Sequence, residues 1–411
     1  MTYKSSSVRD YILRIPALLI LIIIYSLTIA IAKSAKLIIK QKKINNRIII
    51  NGTFHNPNWF HAHIGPIAQS NYGEVFLITD EQLDPLPNLI YACPPKLLNK
   101  IFTRAGSKFI WTIYTGFKHP ADLYVGYHIF PSAITALIAS SLLGAKSCYQ
   151  VTSGQLELEG GGYAAENKLL RSLRTHSSFV ESLSSALVRL FDLVIVRGTE
   201  AKKYIKNTNF KNRLEVITGS VLTDNKYISQ TRDIDIIFVG RIAEYKQPDI
   251  FIEVCKEVIN KNKNVNVKMV GDGPLMGSIE KLIKTNNLQS NIELLGQRKD
   301  IPDLMGRSKI LVLTSRWEGV SIAMLEGMAL GVVPVVLNVG DLKDYVINNQ
   351  TGIICNDSEL NKMSDGINSI LNNTSLRNEL SSNARKLIYK NCDREVLARR
   401  WNNVFDNLSK K

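Results

Sequence analysis

After Arg47 the chain alternates between short runs of Ile, Val and Leu and longer segments whose apolar residues recur with helical period. Short apolar runs without polar alternation suit strands buried on both faces, and helical segments between them suit parallel strands joined by crossovers. The pattern predicts an α/β fold. In the first half strands are expected at Arg47 to Ile50, Glu74 to Thr79, Asn88 to Ala92, Phe109 to Ile113, Leu123 to Gly126, Ser147 to Val151, Leu193 to Val196 and Glu215 to Thr218. A polar stretch, Thr223 to Asp233, interrupts the pattern. It restarts with Asp235 to Gly240, Val265 to Val270, Asn291 to Leu295, Lys309 to Leu313 and Val332 to Leu337. Two similar sheets on either side of a polar joint suggest two Rossmann-like domains facing a central cleft. The segment Glu395 to Leu408 again has helical period, with Trp401 and Phe405 on it.

One run breaks this rhythm. Ile15 to Ala32 is 18 residues without a charge, flanked on both sides by basic residues. As a helix it reaches about 27 Å, enough for a bilayer's hydrocarbon. A spanning anchor, a cleaved signal peptide and a buried core helix all fit such a run; its length, beyond the usual signal-peptide core, favours the anchor. Residues 1 to 47 carry nine basic side chains (Lys4, Arg9, Arg14, Lys33, Lys36, Lys40, Lys42, Lys43, Arg47) against Asp10, a net +8 of the chain's +15. Charge clustered around an apolar segment indicates a membrane rather than nucleic acid as partner. Six of these residues follow the run and three precede it, which places the bulk of the chain on the cytoplasmic face of the membrane, behind an N-terminal single-pass anchor.

Composition then narrows the class. With 411 residues, 45% apolar and 21% charged, the chain is long enough for two or three domains and too apolar to be disordered. Cys93, Cys148, Cys255, Cys355 and Cys392 are odd in number and lack a C-x-x-C pair, which speaks against a disulfide framework or zinc site. His55, His61 and His63 cluster without matching carboxylate or thiol spacing, so no metal is assigned to them. Gly271-Asp272-Gly273-Pro274-Leu275-Met276 lacks the sixth glycine of a dinucleotide fingerprint, and no P-loop occurs.

The most informative segment is Trp317 to Val336, entered from the strand ending near Ser315. Glu318-Gly319 permits a turn, Ser321 is a plausible N-cap, and Ile322 to Leu330 reads as a helix stopped by Gly331. The free N–H groups of such a helix start suit a diphosphate, and Gly319 permits close approach of a ligand. Glu318 precedes the helix and Glu326 lies within it, so one carboxylate can meet a sugar and the other a ribose, whose hydroxyls donate to it.

That segment resembles the nucleotide-sugar site of retaining family 4 glycosyltransferases of the GT-B fold, whose E-x7-E pattern falls on Glu318 and Glu326. The supporting pieces VGRIAEYK (Val239 to Lys246), VGDGP (Val270 to Pro274), LLGQRKDIPDLM (Leu294 to Met305) and NVGDLKDYVINNQTGIIC (Asn338 to Cys355) occur in the order of the family. By that resemblance Arg241 and Lys246 bind the donor diphosphate together with Gly319, Val320 and Ser321, while Glu318 meets the transferred sugar. It further implies that His128, closing the strand Leu123 to Gly126, contacts that sugar, and that Gly52 belongs to a loop on the acceptor side. The family's Asn-Gly-Val-Asp turn is replaced by Thr218-Gly219-Ser220-Val221-Leu222, with Asp224 as the nearest acid. A second glycine is missing at Gly340-Asp341.

The implied organisation is a membrane helix with basic flank (1–46), an acceptor-side Rossmann-like domain (47–226), a nucleotide-sugar domain (227–393) and a terminal helix (394–411) returning to the first domain. The implied activity is transfer of a sugar from a nucleoside diphosphate, with retention, to a lipid-linked or saccharide acceptor at a membrane. No cofactor or metal is required, because Arg241, Lys246 and the helix start supply the positive charge. A nucleotide-sugar epimerase and a non-catalytic sugar-nucleotide-binding membrane subunit are the alternatives. Arg171 and Arg174, with Leu169, Leu170 and Leu173, could add a basic amphipathic face.

Overall fold

The computed structural model describes residues 14–40, 46–165, 167–221, 225–229 and 231–409. Lys4, Arg9, Asp10, Lys42, Lys43 and Asp224 lie outside the described residues. The chain divides into two compact units, Met1–Thr218 with Leu397–Lys411, and Gly219–Val396.

In the first unit β1 (Arg47–Asn51), β2 (Glu74–Ile78), β3 (Leu89–Tyr91), β4 (Leu123–Tyr127), β5 (Lys146–Gln150), β6 (Leu193–Val196) and β7 (Arg213–Val216) form one parallel sheet. Its order is β3-β2-β1-β4-β5-β6-β7. All five residues of β4 and all four of β6 are buried, as strands covered on both faces require. Connections run one way from β1 to β3 and the other way from β4 to β7. The loops after β1 and β4 therefore diverge at a switch point, where open α/β sheets bind ligands.

The second unit repeats the arrangement with β8 (Ile234–Val239), β9 (Val267–Val270), β10 (Ile292–Gly296), β11 (Ser308–Leu313), β12 (Val333–Leu337) and β13 (Ile353–Cys355), in the order β10-β9-β8-β11-β12-β13. Its switch point lies between β8 and β11. The short strand β13 is absent from the expectations read off the sequence, because Ile353–Cys355 is too brief to show a period.

One expected strand is a helix. Phe109 to Ile113 lies inside the helix Arg104–Lys118, whose N-terminus is capped by Thr103 accepting from the Gly106 N–H. The residues FIWTI mimic alternation, but the face turned inward is Ser107, Lys108, Thr112, Thr115 and Gly116, a helical spacing. Around Arg171 the helix is only Lys168–Arg171, with Leu170 and Leu173 buried and Arg171 and Arg174 exposed. That is an inward-facing apolar turn, and no continuous basic amphipathic face forms.

The helix Ile15–Ile38 packs lengthwise on the helices Ile134–Leu143 and Ser178–Val188. Ala17, Leu21, Tyr25, Thr28, Ala32 and Ala35 face inward. Arg14 donates to Thr175 Oγ1 at 2.6 Å, and Lys36 Nζ donates to the Leu190 carbonyl at 2.7 Å, so both ends are fastened to the first unit. At the other terminus the helix Arg394–Ser409 brings Trp401 and Phe405 into the core with Ile48, Ile50 and Leu77. Tyr72 packs on Phe405 with ring centroids 4.4 Å apart, and Arg213 donates to the Val404 carbonyl.

Candidate functional site

In the second unit the loops after β8 and β11 carry Arg241, Lys246, Glu318 and, one helix further, Glu326. After β8 the chain turns through Gly240 and Arg241 into the short 3-10 turn Glu244–Lys246. After β11 it turns through Arg316 to Gly319 into the helix Ile322–Ala329, capped by Ser321 Oγ, which accepts from the Met324 N–H. Gly331, with φ +76, follows that helix in the left-handed region that ends helices.

The two loops are clipped together. Lys246 Nζ donates to Glu318 Oε1, which also accepts from Ser315 Oγ at 2.7 Å. Both side chains of the ion pair are about nine-tenths buried, at 12% and 10% exposure. Arg316 N–H donates to the Tyr245 carbonyl at 2.8 Å, and Thr314 Oγ1 donates to the Gln247 carbonyl at 2.9 Å. The rings of Tyr245 and Trp317 stack, 14° from parallel. A pair so far removed from water adds little net stability, because desolvation offsets attraction, but it fixes geometry.

Two glycines allow the neighbouring loops to close on this clip. A Cβ on Gly271 would lie 1.8 Å from the Gly240 carbonyl oxygen, and one on Gly340 would lie 1.8 Å from that of Glu318. The VGDGP segment thus packs backbone to backbone against the Arg241 loop, and Gly340 against the Glu318 turn. Asp341 N–H donates to the Gly319 carbonyl. With its single glycine the chain still makes this approach.

Arg241 is exposed and its side chain has no hydrogen-bond partner among the described residues, leaving its cation available beside the clip. Val320 and Ser321 are buried. Glu326 is partly buried, one turn into the helix, and burial pushes its carboxyl up to about 7. The four charged residues named from the E-x7-E segment and the VGRIAEYK segment thus belong to loops and a helix at the carboxyl end of the two central strands of one sheet, with Lys246 and Glu318 in direct contact.

In the first unit His128 follows β4 at φ +63, the left-handed region, which is uncommon for a residue with a side chain and marks a turn held by its surroundings. What holds it is Glu157, which sequence reasoning missed. The Glu157 carboxylate accepts from His128 Nδ1 at 3.1 Å, Ile129 N–H, Tyr149 OH, Thr152 N–H and Oγ1, and Ser153 N–H. Burial pushes its pKa up, but His128 and the hydroxyls of Thr152 and Tyr149 outweigh that and hold it at about 2. An acid within a glycine-rich tract, SGQLELEGGG, is the signal that could have pointed to it.

Gly52 follows β1, and a Cβ there would collide with the Phe54 ring at 2.5 Å. The loop it opens is fastened by Lys108, likewise missed, whose Nζ donates to the Gly52 carbonyl, Thr53 Oγ1 and Asp80. The histidines near it disperse: His61 pairs with Asp84, His55 with Glu81, and His63 is buried against Trp59. The described residues hold no group of three or more metal-ligating side chains.

Residues 222–387 match the family described as glycosyl transferases group 1. An uncharacterized glycosyltransferase of Methanocaldococcus jannaschii is 33% identical over 193 residues, which cover 46% of this chain and 53% of that protein. The poly(ribitol-phosphate) alpha-N-acetylglucosaminyltransferase of Staphylococcus aureus is 30% identical over 41% of this chain and 34% of its own length. The chain thus spans about half the length, or less, of these relatives. The UDP-Gal:alpha-D-GlcNAc-diphosphoundecaprenol alpha-1,3-galactosyltransferase of Escherichia coli is 32% identical over 47% of this chain and 49% of its own. Among solved structures, Anabaena HepE in complex with UDP-glucose superposes with a TM-score of 0.67 at 17% identity, covering 88% of this chain and 99% of that one. That likeness shows the fold: two parallel α/β sheets of the GT-B type.

The raised Glu326 carboxyl has a sign that can be measured. A folded-state pKa near 7 means the native state binds more protons than the unfolded chain between about pH 4.5 and 7, so this residue lowers stability as pH rises through that window. Glu326→Gln is expected to equal the parent in urea unfolding at pH 4.5. Above pH 7 it is expected to exceed the parent, by up to about 3 kcal/mol. A difference that does not vary with pH contradicts the assignment.

Proposed function

We propose that the chain is a glycosyltransferase that moves a sugar from a nucleoside diphosphate, with retention of anomeric configuration, to an acceptor in polysaccharide or glycolipid assembly. The single observation carrying this is the clip at the second switch point: Lys246 bound to Glu318, with Arg241 beside it and a capped helix start immediately following. A diphosphate is the ligand such a set suits, since it takes two cations and free N–H groups at once. Arg241 and Lys246 stabilise the charge that develops on the departing diphosphate, and the backbone of Gly319, Val320 and Ser321 adds dipoles of the same sign. The scheme needs no metal ion to supply that charge. Lys246 reaches the phosphate by sharing or leaving Glu318, which frees that carboxylate for hydroxyls of the sugar. Glu326 accepts from the ribose hydroxyls, which favour its ionised form. The names of the Escherichia coli and Anabaena proteins, with UDP-galactose and UDP-glucose, support a nucleotide sugar as donor. His128 and Gly52, on loops of the first switch point, serve the sugar and acceptor side.

Glu326→Ala is expected to weaken donor binding roughly 10- to 100-fold, the range for a lost hydrogen bond to a charged group, as measured by calorimetry with the preferred sugar nucleotide. Incubation with labelled nucleotide sugars and extracted membranes is expected to give a labelled acceptor. Conversion of the sugar without acceptor indicates an epimerase instead. Binding with no transfer indicates a non-catalytic subunit.

We further propose that the acceptor is met at a membrane, on its cytoplasmic face, and that Ile15–Ile38 attaches to it lying flat. A spanning arrangement requires this helix to leave the contacts that bury Leu21 and Tyr25 and the bonds at Arg14 and Lys36. A flat one keeps them. The outward face is Leu19, Ile23, Leu27 and Ile31, spaced four apart and 40 to 57% exposed, with Lys33 and Lys40 exposed beyond it. An apolar stripe followed by exposed lysines suits the interface of an anionic bilayer. The purified chain is expected to float with preformed vesicles of 30% phosphatidylglycerol, and the triple variant L19E/I23E/L27E to sink while melting normally. Flotation unaffected by the triple variant, or an N-terminal tag on the opposite side of the membrane from the two sheets, contradicts the flat arrangement.

A further inference from the structure

Beside His128 lies a charge that nothing described so far uses. Arg197 directly follows β6 and is 4% exposed, yet its Nε and Nη2 have no hydrogen-bond partner. A buried guanidinium without hydrogen-bond partners is costly unless an anion meets it. Its guanidinium carbon lies over the Trp59 ring, 5.3 Å from the centroid. The same ring stacks on His128, 8° from parallel, and touches His63 at 4.8 Å between centroids. His63 is 6% exposed, and its Nε2 is a second buried atom without a partner. Burial, then Arg197 and His128, hold its pKa well below the usual imidazole value, so it is neutral and can donate or accept at neutral pH.

The nearby carboxylate does not neutralise Arg197 by contact. Both oxygens of Glu157 are already taken by His128, Ile129, Tyr149, Thr152 and Ser153. The orphaned donors of Arg197 also have a shape. Nε–H and the adjacent Nη2–H form one edge of the guanidinium, the edge that takes two oxygens of a carboxylate or phosphate side by side. Arg197 sits at the carboxyl end of β6 in the parallel sheet, the end at which ligands of such sheets bind.

We propose that Arg197, with His63 Nε2 beside it, seats an oxyanion carried by the acceptor, either a carboxylate or a phosphate. This deepens the transferase reading and rests on it for the word acceptor, but the anion site itself does not. It makes the first unit selective: a neutral saccharide leaves the guanidinium unpaired, whereas an acidic one satisfies it. Trp59 supplies the ring over which the Arg197 cation sits, and His128 is the more exposed neighbour of that ring.

The test is a titration of the full chain held at constant ionic strength in saturating UDP, so that cations of the second unit are occupied. Inorganic phosphate and malonate are the two probes, read by melting temperature. Wild type is expected to be stabilised saturably by one or both, and the stronger probe identifies phosphate or carboxylate as the group. Arg197→Met is expected to lose that response, with affinity for the probe weakened about tenfold or more, while UDP still binds as in wild type. Arg197→Lys keeps the charge without the two-donor edge and is expected to weaken the response as well, which decides the matter should the methionine variant fail to fold. No saturable response in wild type, or an equal response in the folded variants, overturns the proposal. Failure of UDP to bind counts against the transferase reading alone, and the phosphate and malonate titrations are then read without it.

Discussion

The Lys246–Glu318 ion pair joins the loops that leave the two neighbouring strands β8 and β11, and the geometry of the candidate donor site follows from it. Strand connections run in opposite directions from that point, so without a fastening the two loops would diverge. The pair draws them together, Arg316 and Thr314 repeat the link through backbone carbonyls, and the glycines at 271 and 340 let the flanking loops close on it. Because a buried ion pair contributes little net stability, its value lies in position. It holds a cation and a carboxylate at the helix start.

The first unit applies the same topology with different side chains. Its switch point lies between β1 and β4, and here too a buried charge sets the loops. Lys108 fastens the loop after β1, and Glu157 gathers the backbone and side chains around His128. Arg197 differs from both in having its donors left open. Two of these three buried charges are spent on holding loops, and the third lies over an aromatic ring with Nε and Nη2 lacking hydrogen-bond partners, in low-dielectric surroundings where an anion would gain most.

Much of this was legible in the sequence where the physics is local. The strand β6 is unbroken Leu, Val and Ile, and β8 is apolar except at Asp235, because both faces are covered, and Ser321 with Gly331 marks the two ends of the helix bearing Glu326. The error at Phe109 to Ile113 is also local in origin, since five residues can satisfy either period and the deciding Thr103 cap lies outside them. What could not be read was convergence. Glu157 and Lys108 take their meaning from partners up to 56 residues away, and a charge just after an apolar strand, as at Arg197, signals only that something must meet it. The apolar length of Ile15 to Ala32 was plain, but not that one face of it is already occupied.

The central claim is that Lys246 and Glu318 act as one unit in holding a nucleoside diphosphate. A double-mutant cycle on UDP affinity, with Lys246→Met, Glu318→Gln and the two combined, measures this directly by calorimetry. Coupled action requires strong non-additivity, with the double variant no weaker than the worse single one and an interaction term of at least about 1 kcal/mol. Losses that add to within about 0.3 kcal/mol contradict it.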